Sequence, residues 1–206
     1  MRIQIMGQFI MRNIHTSIQI IQDEHAGLAA MLRSLGMMID RGPGDKPHVF
    51  FDVLRAMLFY IDEFPEKLHH TKETELLFPP VALRSPQVAE VLERLNKDHA
   101  KGEATVRELQ HLLLAWELLG DTRRAAFESA IRQYLNFYLE HMHLEESMVI
   151  PEAKKVLTEA DWAALDQAFE TNCDPITGKY PRDPVYDKLF STITMLAPAP
   201  IGLGDA

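Results

Sequence analysis

The sequence predicts an all-α protein, an antiparallel up-down four-helix bundle with one or two short extra helices at its C-terminal end. Three observations carry this. Apolar residues recur at alternating steps of four and three along four long segments. Short stretches of turn chemistry join those segments, and the second pair of segments repeats the first. Four long helices with short connections pack antiparallel around one core. Residues 16–157 are assigned to the bundle, 1–15 to an N-terminal extension, and 158–206 to C-terminal helices and tail.

The first segment, about 16 to 40, carries the stripe Ile14, Ile18, Ile21, His25, Leu28, Leu32, Leu35 and Ile39. RGPGDKP at 41–47 is a turn. The second segment runs from about 49 to 78 and holds Pro65, which predicts a kink that shifts the face register. The third opens at Ser85-Pro86, a capping residue followed by proline in the first turn, with the stripe Val88, Leu92, Leu95, His99, Gly102, Val106, Leu109 and Leu113. Gly120 ends it. The fourth starts near Thr122 with Phe127, Ile131, Tyr134, Tyr138, His141, Glu145 and Met148 on one face, before Pro151. Thr158 and Asp161 form a capping-box pattern for a shorter helix, a last helix covers about 184 to 195, and APAPIGLGDA reads as extended tail.

At 206 residues and 47% hydrophobic, the chain suits one globular domain. A net charge of -9 removes the electrostatic basis for binding nucleic acid or an anionic membrane. No apolar stretch approaches the roughly 20 residues of a membrane helix. The opening MRIQIMGQFIM is broken by Gln4, Gly7 and Gln8 and lacks a small-x-small cleavage site, so it is not read as a secretory signal. Cys173 is a lone cysteine without a Cys-x-x-Cys companion, which points to neither a disulfide scaffold nor a thiolate metal site and fits a cytoplasmic protein.

DEHAG at 23–27 matches DHAKG at 98–102, and HHTKETELLFP from His69 matches HMHLEESMVIP from His141. In both longer motifs a glutamate stands four residues after the first histidine and a proline ten after it, at Pro79 and Pro151. Residues four apart lie on one helix face, so His69 with Glu73, and His141 with Glu145, each aim an imidazole and a carboxylate at one place. His25, His99, His141 and Glu145 fall on the interior stripe. A lone histidine on an apolar face is more often a satisfied core residue. Four in a duplicated arrangement with two glutamates point instead to metal, because an unpaired buried carboxylate costs several kcal/mol. Nitrogen and oxygen donors without thiolate suit iron, manganese or zinc, and carboxylates from a bundle core bridge two such ions. Two histidines per ion, two bridging glutamates and an oxo or hydroxo bridge leave a position for dioxygen, nitric oxide or peroxide.

At these residues the sequence resembles the hemerythrin-like family named for its His-His-Glu cation-binding motif, over roughly residues 18 to 157. It is similar to the bacterial branch with four histidines and two bridging glutamates, which includes di-iron proteins that repair damaged iron centres. The resemblance implies His25, His69, Glu73, His99, His141 and Glu145 as ligands of two iron ions, oxo- or hydroxo-bridged, with zinc or manganese accepted by the same donors. Oxygen-carrying members have His-x-x-x-His on the third helix and His-x-x-x-x-Asp on the fourth. Here Glu103 stands four after His99 and Glu146 five after His141. Glu146 competes with Glu145 as a bridge, and Glu103 is an alternative ligand or base. The repair proteins carry a cysteine-containing region at their start that has no counterpart before His25.

His70 and His143 are expected to point to other faces, as surface groups or as groups behind the ligands, and His15, His48 and His111 have no partner motif. Tyr134 and Tyr138 read as core packing, with a hydrogen bond to a metal-held ligand as the sharper alternative. Met37 and Met38 read as core filler. The leading expectation is a non-haem di-iron protein that binds or senses a small oxidant or gas. Its rivals are a di-iron enzyme reducing peroxide or nitric oxide with the help of a redox partner, an iron-handling or iron-centre repair protein, and a helical interaction protein. The oligomeric state is left open.

Overall fold

The computed structural model describes residues 15–172, 174, 176–177 and 183–204. The N-terminal extension up to Ile14, and Cys173, lie outside the described residues. The helices are α1 (Thr16–Arg41), α2 (Pro47–Ile61), α3 (His70–Lys72), α4 (Phe78–Arg84), α5 (Ala89–Leu119), α6 (Arg124–Leu144), α7 (Ile150–Val156), α8 (Glu159–Phe169) and α9 (Asp187–Leu196). No strand occurs among the described residues. α2 through α4 form one helical run and α6 with α7 another, so that with α1 and α5 they make the four members of an all-α bundle. α1 packs on α2 and α6, and α5 on the same two.

Both composite runs are interrupted by π-helical turns, at Asp62–His69, Glu73–Leu77 and Glu145–Val149. In each the amide five residues on closes the turn: His70 N–H donates to Pro65 O, Phe78 N–H to Glu73 O, and Ile150 N–H to Glu145 O. Proline supplies the reason. Pro65, Pro79 and Pro151 have no N–H to give and their rings crowd the carbonyl four residues back, a conflict that a wider turn relieves. The kink expected at Pro65 is thus a π turn. Each such turn inserts one residue and rotates the helix beyond it. That corrects the assignment of Met148 to the interior: it is 41% exposed, and Val149 takes the buried place.

The core lies in two apolar clusters. One holds Leu28, Leu35, Phe50, Phe51, Tyr60, Trp116 and Phe127 among others, and the second holds Ile18, Ile21, Phe78, Leu95, Val149, Trp162 and Phe169. Each bundle member passes from one cluster to the other through a layer of buried polar residues: His25 on α1, His69 to Glu73 on the second run, His99 on α5, His141 to Glu145 on the fourth. The polar layer sits mid-core.

Gly120, at φ +83°, ends α5 as read from the sequence. Ser85 departs from its expected role: it makes no side-chain cap, and its hydroxyl donates to Glu152 Oε1 at 2.9 Å. The Thr158–Asp161 capping box is present, with Thr158 N–H donating to Asp161 Oδ2 at 2.8 Å and Asp161 N–H to Thr158 Oγ1 at 3.3 Å. α8 lies on α1, held by Ser17 donating from backbone and hydroxyl to Asp166 at 2.8 and 2.6 Å. α9 lies on α2. The described part of the tail is not extended. It folds back on α9, with Leu203 N–H donating to Thr194 O and Gly204 N–H to Ala197 O. Met38 is buried as core filler, whereas Met37 is 41% exposed.

Candidate metal centre

All six candidate ligands are buried, and Glu73 and Glu145 are wholly inaccessible. The histidines meet in pairs. His25 Nε2 and His69 Nε2 lie 3.1 Å apart, as do His99 Nε2 and His141 Nε2. Glu73 stands between the pairs: Oε1 is 2.6 Å from His69 Nε2 and 3.9 Å from His25 Nε2, while Oε2 is 3.4 Å from His99 Nε2. Glu145 Oε2 is 3.5 Å from His25 Nε2. Donor atoms of His25, His69, Glu73 and Glu145 fall within 4.8 Å of one another, and so do those of His70, Glu73, His99 and His141. Glu73 belongs to both sets.

Neither carboxylate has a hydrogen bond of normal geometry at either oxygen. Four such buried oxygens, three of them facing imidazole nitrogens, would be costly as a finished arrangement of protein alone. A cation at each convergence point would satisfy them, and the donors are the nitrogen and carboxylate oxygen that suit iron, zinc or manganese. The residues present fit such ions.

The far sides of the imidazoles are also built, and in duplicate. His69 Nδ1 donates to Glu24 Oε2 at 2.6 Å, and Glu24 accepts in turn from Asn172 at 2.9 and 3.1 Å. In the second half Asp98 faces His141 Nδ1, but at 3.7 Å. His25 Nδ1 lies 3.0 Å from Glu146 Oε1, and His99 Nδ1 2.8 Å from Thr74 Oγ1. In each half, therefore, the acid just before the lone histidine faces the histidine of the His-x-x-x-Glu pair. The residue just after each glutamate holds the lone histidine of the other half. Such outer partners fix imidazole orientation and raise its basicity.

Electrostatics in the metal-free form are set by burial and by neighbouring charge. Burial alone opposes charge on His69, yet Glu73 and Glu24 together hold it well above the usual histidine range. Burial likewise opposes ionisation of Glu73, and the neighbouring His69 and His99 overcome it, so this carboxyl titrates well below its ordinary value. Burial, and then the charge of Glu73, push Glu145 well above. Burial and the neighbouring His99 lower His141 to about 3. The two carboxyls are thus pushed in opposite directions, Glu73 toward the ionised form and Glu145 toward the protonated one, and a cation that needs both as carboxylates would release protons on binding.

His70 corrects the sequence reading. It is 3% exposed, stacked on the His99 ring at 4.3 Å, with Nδ1 3.1 Å from Glu66 Oε2. The π turn through Pro65 rotates it inward beside His69. His143 is exposed, as are His48 and His111, and His15 stacks on Trp162. Glu103 turns to Arg107 at 2.5 Å on the bundle surface, and Glu146 is 43% exposed as the outer partner of His25. The hydroxyls of Tyr134 (2.9 Å) and Tyr138 donate to Glu66 Oε1. Burial raises the Glu66 carboxyl to about 7 against those two bonds.

Residues 16–153 match the family model for the hemerythrin HHE cation binding domain. The chain belongs to that family. As a hemerythrin-like protein it is a metal-binding helical bundle, and its buried histidines and glutamates are of the kind that can hold a cation. It is also similar to the iron-sulfur cluster repair protein YtfE of Pectobacterium carotovorum subsp. carotovorum (strain PC1), at 26% identity over 138 residues, 64% of this chain. The matched segment covers 60% of that relative's length. No helix among the described residues is long and apolar enough to cross a membrane.

Glu24, Asp98, Thr74, Asn172 and Glu66 went unread in the sequence. The acid directly preceding each lone histidine was the available signal for Glu24 and Asp98. Asn172 lies far along the chain with no motif to mark it.

Proposed function

We propose that this hemerythrin-like chain holds two iron ions, one between His25 and His69 and the other between His99 and His141, with Glu73 and Glu145 bridging, and that the pair binds or senses a small oxidant or gas. The observation that carries the reading is Glu73, whose two oxygens face different histidine pairs in a layer where neither oxygen has a hydrogen bond. A bridged iron pair supplies redox change and an exchangeable coordination position. The protein's part is to orient the imidazoles through Glu24, Asp98, Thr74 and Glu146, and to keep bulk water out with the apolar clusters on either side. Dioxygen, nitric oxide and peroxide are ligands small enough for so closed a site.

The test is an optical titration of anaerobically prepared ferrous protein with dioxygen, nitric oxide and peroxide in turn. A ligand-to-iron charge-transfer band that saturates with one of them supports the reading. An unchanged spectrum from iron-loaded protein with all three contradicts it. The likeness to the repair protein favours a second reading, iron handling or iron-centre repair, in which the metal is cargo. Rapid loss of iron to a mild chelator favours that reading, and turnover with an electron donor would make the protein an enzyme.

A further inference from the structure

We infer that Tyr138 and Tyr134 form a one-electron relay from the metal layer to the groove between α5 and α6, in which Tyr138 gives up an electron toward the layer and its hydroxyl proton to Glu66. This rests on the two-iron reading above, with a peroxide as the oxidant. The rings make a continuous path. His99, one of the proposed ligands, is stacked on His70 at 4.3 Å and 11°, His70 on Tyr138 at 5.5 Å and 7°, and Tyr138 meets Tyr134 at 4.7 Å. Tyr134 in turn lines the groove, a cavity of about 460 Å³ that it shares with Lys101, Glu108, Gln133 and Phe137 among others.

The proton's destination is built as closely as the electron's path. A buried phenol that lost an electron and kept its proton would be an unpaired cation in apolar surroundings, so the proton must leave with the electron. Both hydroxyls donate to Glu66 Oε1, Tyr134 at 2.9 Å, while Oε2 lies 3.1 Å from His70 Nδ1. Burial holds both hydroxyls well above the usual tyrosine range, so neither is ionised beforehand, and Glu66, at about 7, takes a proton more readily than an ordinary carboxylate. Room for this clamp of two hydroxyls on one carboxylate comes from Gly102, in the middle of the 31-residue α5: a Cβ there would collide with Tyr138 Oη and stand 2.9 Å from Glu66 Oε1. Glycine is the weakest helix former after proline, and here its missing side chain is what admits the clamp.

The internal repeat explains how the parts meet. Glu66 and Tyr138 each stand three residues before the histidine of a His-x-x-x-Glu pair, so the duplication that assembles the ligands also sets these two facing each other. Hydrogen peroxide takes two electrons and two protons and leaves as two waters. One electron comes from a ferrous iron, which becomes ferric, and the other from Tyr138, whose O–H bond breaks as its proton passes to Glu66 and leaves a phenoxyl radical. The two protons that peroxide takes come from water. An electron donor in solution then reduces the radical by way of Tyr134 in the groove, and Glu66 returns the proton.

The experiment uses the iron-loaded full chain, oxidised by one electron so that a single ferrous iron of the pair meets the peroxide. Hydrogen peroxide is added in equal amount to the iron pair, the sample is frozen within seconds, and the electron paramagnetic resonance spectrum is read beside the metal content. Wild type is expected to give a phenoxyl radical, about half a spin or more per iron pair, whose splitting collapses in protein grown on ring-deuterated tyrosine. Tyr138→Phe should lose the signal. Tyr134→Phe should keep it but lengthen its lifetime in ascorbate at least about tenfold. Glu66→Gln still accepts from the hydroxyls but cannot take the proton, and should cut the radical yield at least about tenfold with iron content unchanged. An unmoved yield there overturns Glu66 as the proton acceptor. A full iron pair with no phenoxyl signal in wild type overturns the relay without use of any variant, as does a signal of wild-type size in Tyr138→Phe. Wild type that holds fewer than about two irons instead overturns the two-iron reading itself.

Discussion

The two halves of the bundle share a plan and differ in how it is finished. In both, a lone histidine meets the histidine of a His-x-x-x-Glu pair at 3.1 Å, with an acid behind one imidazole and the residue after a glutamate behind the other. The His25/His69 side has a tight outer bond from His69 to Glu24 and a C-terminal cover from Asn172 and Asp174. The His99/His141 side has a looser Asp98, no such cover among the described residues, and instead the wall of His70, Glu66 and the two tyrosines. What is duplicated builds two bridged positions. What is not duplicated sets them apart.

The largest effect should come from Glu73, the group the halves share. Glu73→Gln keeps the size but removes the charge, and is expected to weaken metal retention at both positions by at least about a hundredfold, measured as metal per chain after dialysis against a competing chelator. Loss confined to one position would show that Glu73 serves one half only.

The cover over the first half yields a pH dependence. Asp174 accepts from Tyr60 Oη and Ile176 N–H at 2.8 Å each, and burial raises its carboxyl from 3.8 to about 6. The folded value lies above the unfolded one, so this group favours the fold most below about pH 4 and that contribution is lost as pH rises through about 6. The difference corresponds to about 3 kcal/mol at most. Urea unfolding of the metal-free protein should show wild type losing ground against Asp174→Asn between about pH 4 and pH 7. A gap that does not change with pH contradicts the assignment.

A paired comparison sharpens the outer contacts. Glu24→Gln, at a 2.6 Å bond, should cost about 10- to 100-fold in metal affinity, and Asp98→Asn, across 3.7 Å, only a few-fold. Equal losses, read by chelator competition, would erase the distinction between the halves. The smallest expected change is Gly102→Ala. Its new Cβ must displace Tyr138 Oη, so it should destabilise by about 1–2 kcal/mol in urea unfolding, where relief of a mid-helix glycine would otherwise stabilise. A gain in stability would mean that the tyrosine clamp yields freely.

The bundle was legible because heptad-like steps and turn residues need no tertiary context, and the six buried candidates because the motif occurs twice. His70 and Met148 were misplaced for one reason: a period of 3.6 carries no sign of a π turn, so the faces of His70, beyond Pro65, and of Met148, beyond Glu145, were read without the added residue. Pro65, Pro79 and Pro151 marked where the phase changes but not by how much. Ser85 had the composition of a cap, and a buried Glu152 took its hydroxyl instead. The folded-back tail depends on backbone bonds to α9 that no local pattern announces.

The central claim is that two cations sit in this layer on both histidine pairs. Elemental analysis of anaerobically purified protein, set beside the double variant His69→Ala, His141→Ala, tests it most directly. The account expects about two irons per chain in wild type and close to none in the variant. Equal metal content in the two proteins would contradict it.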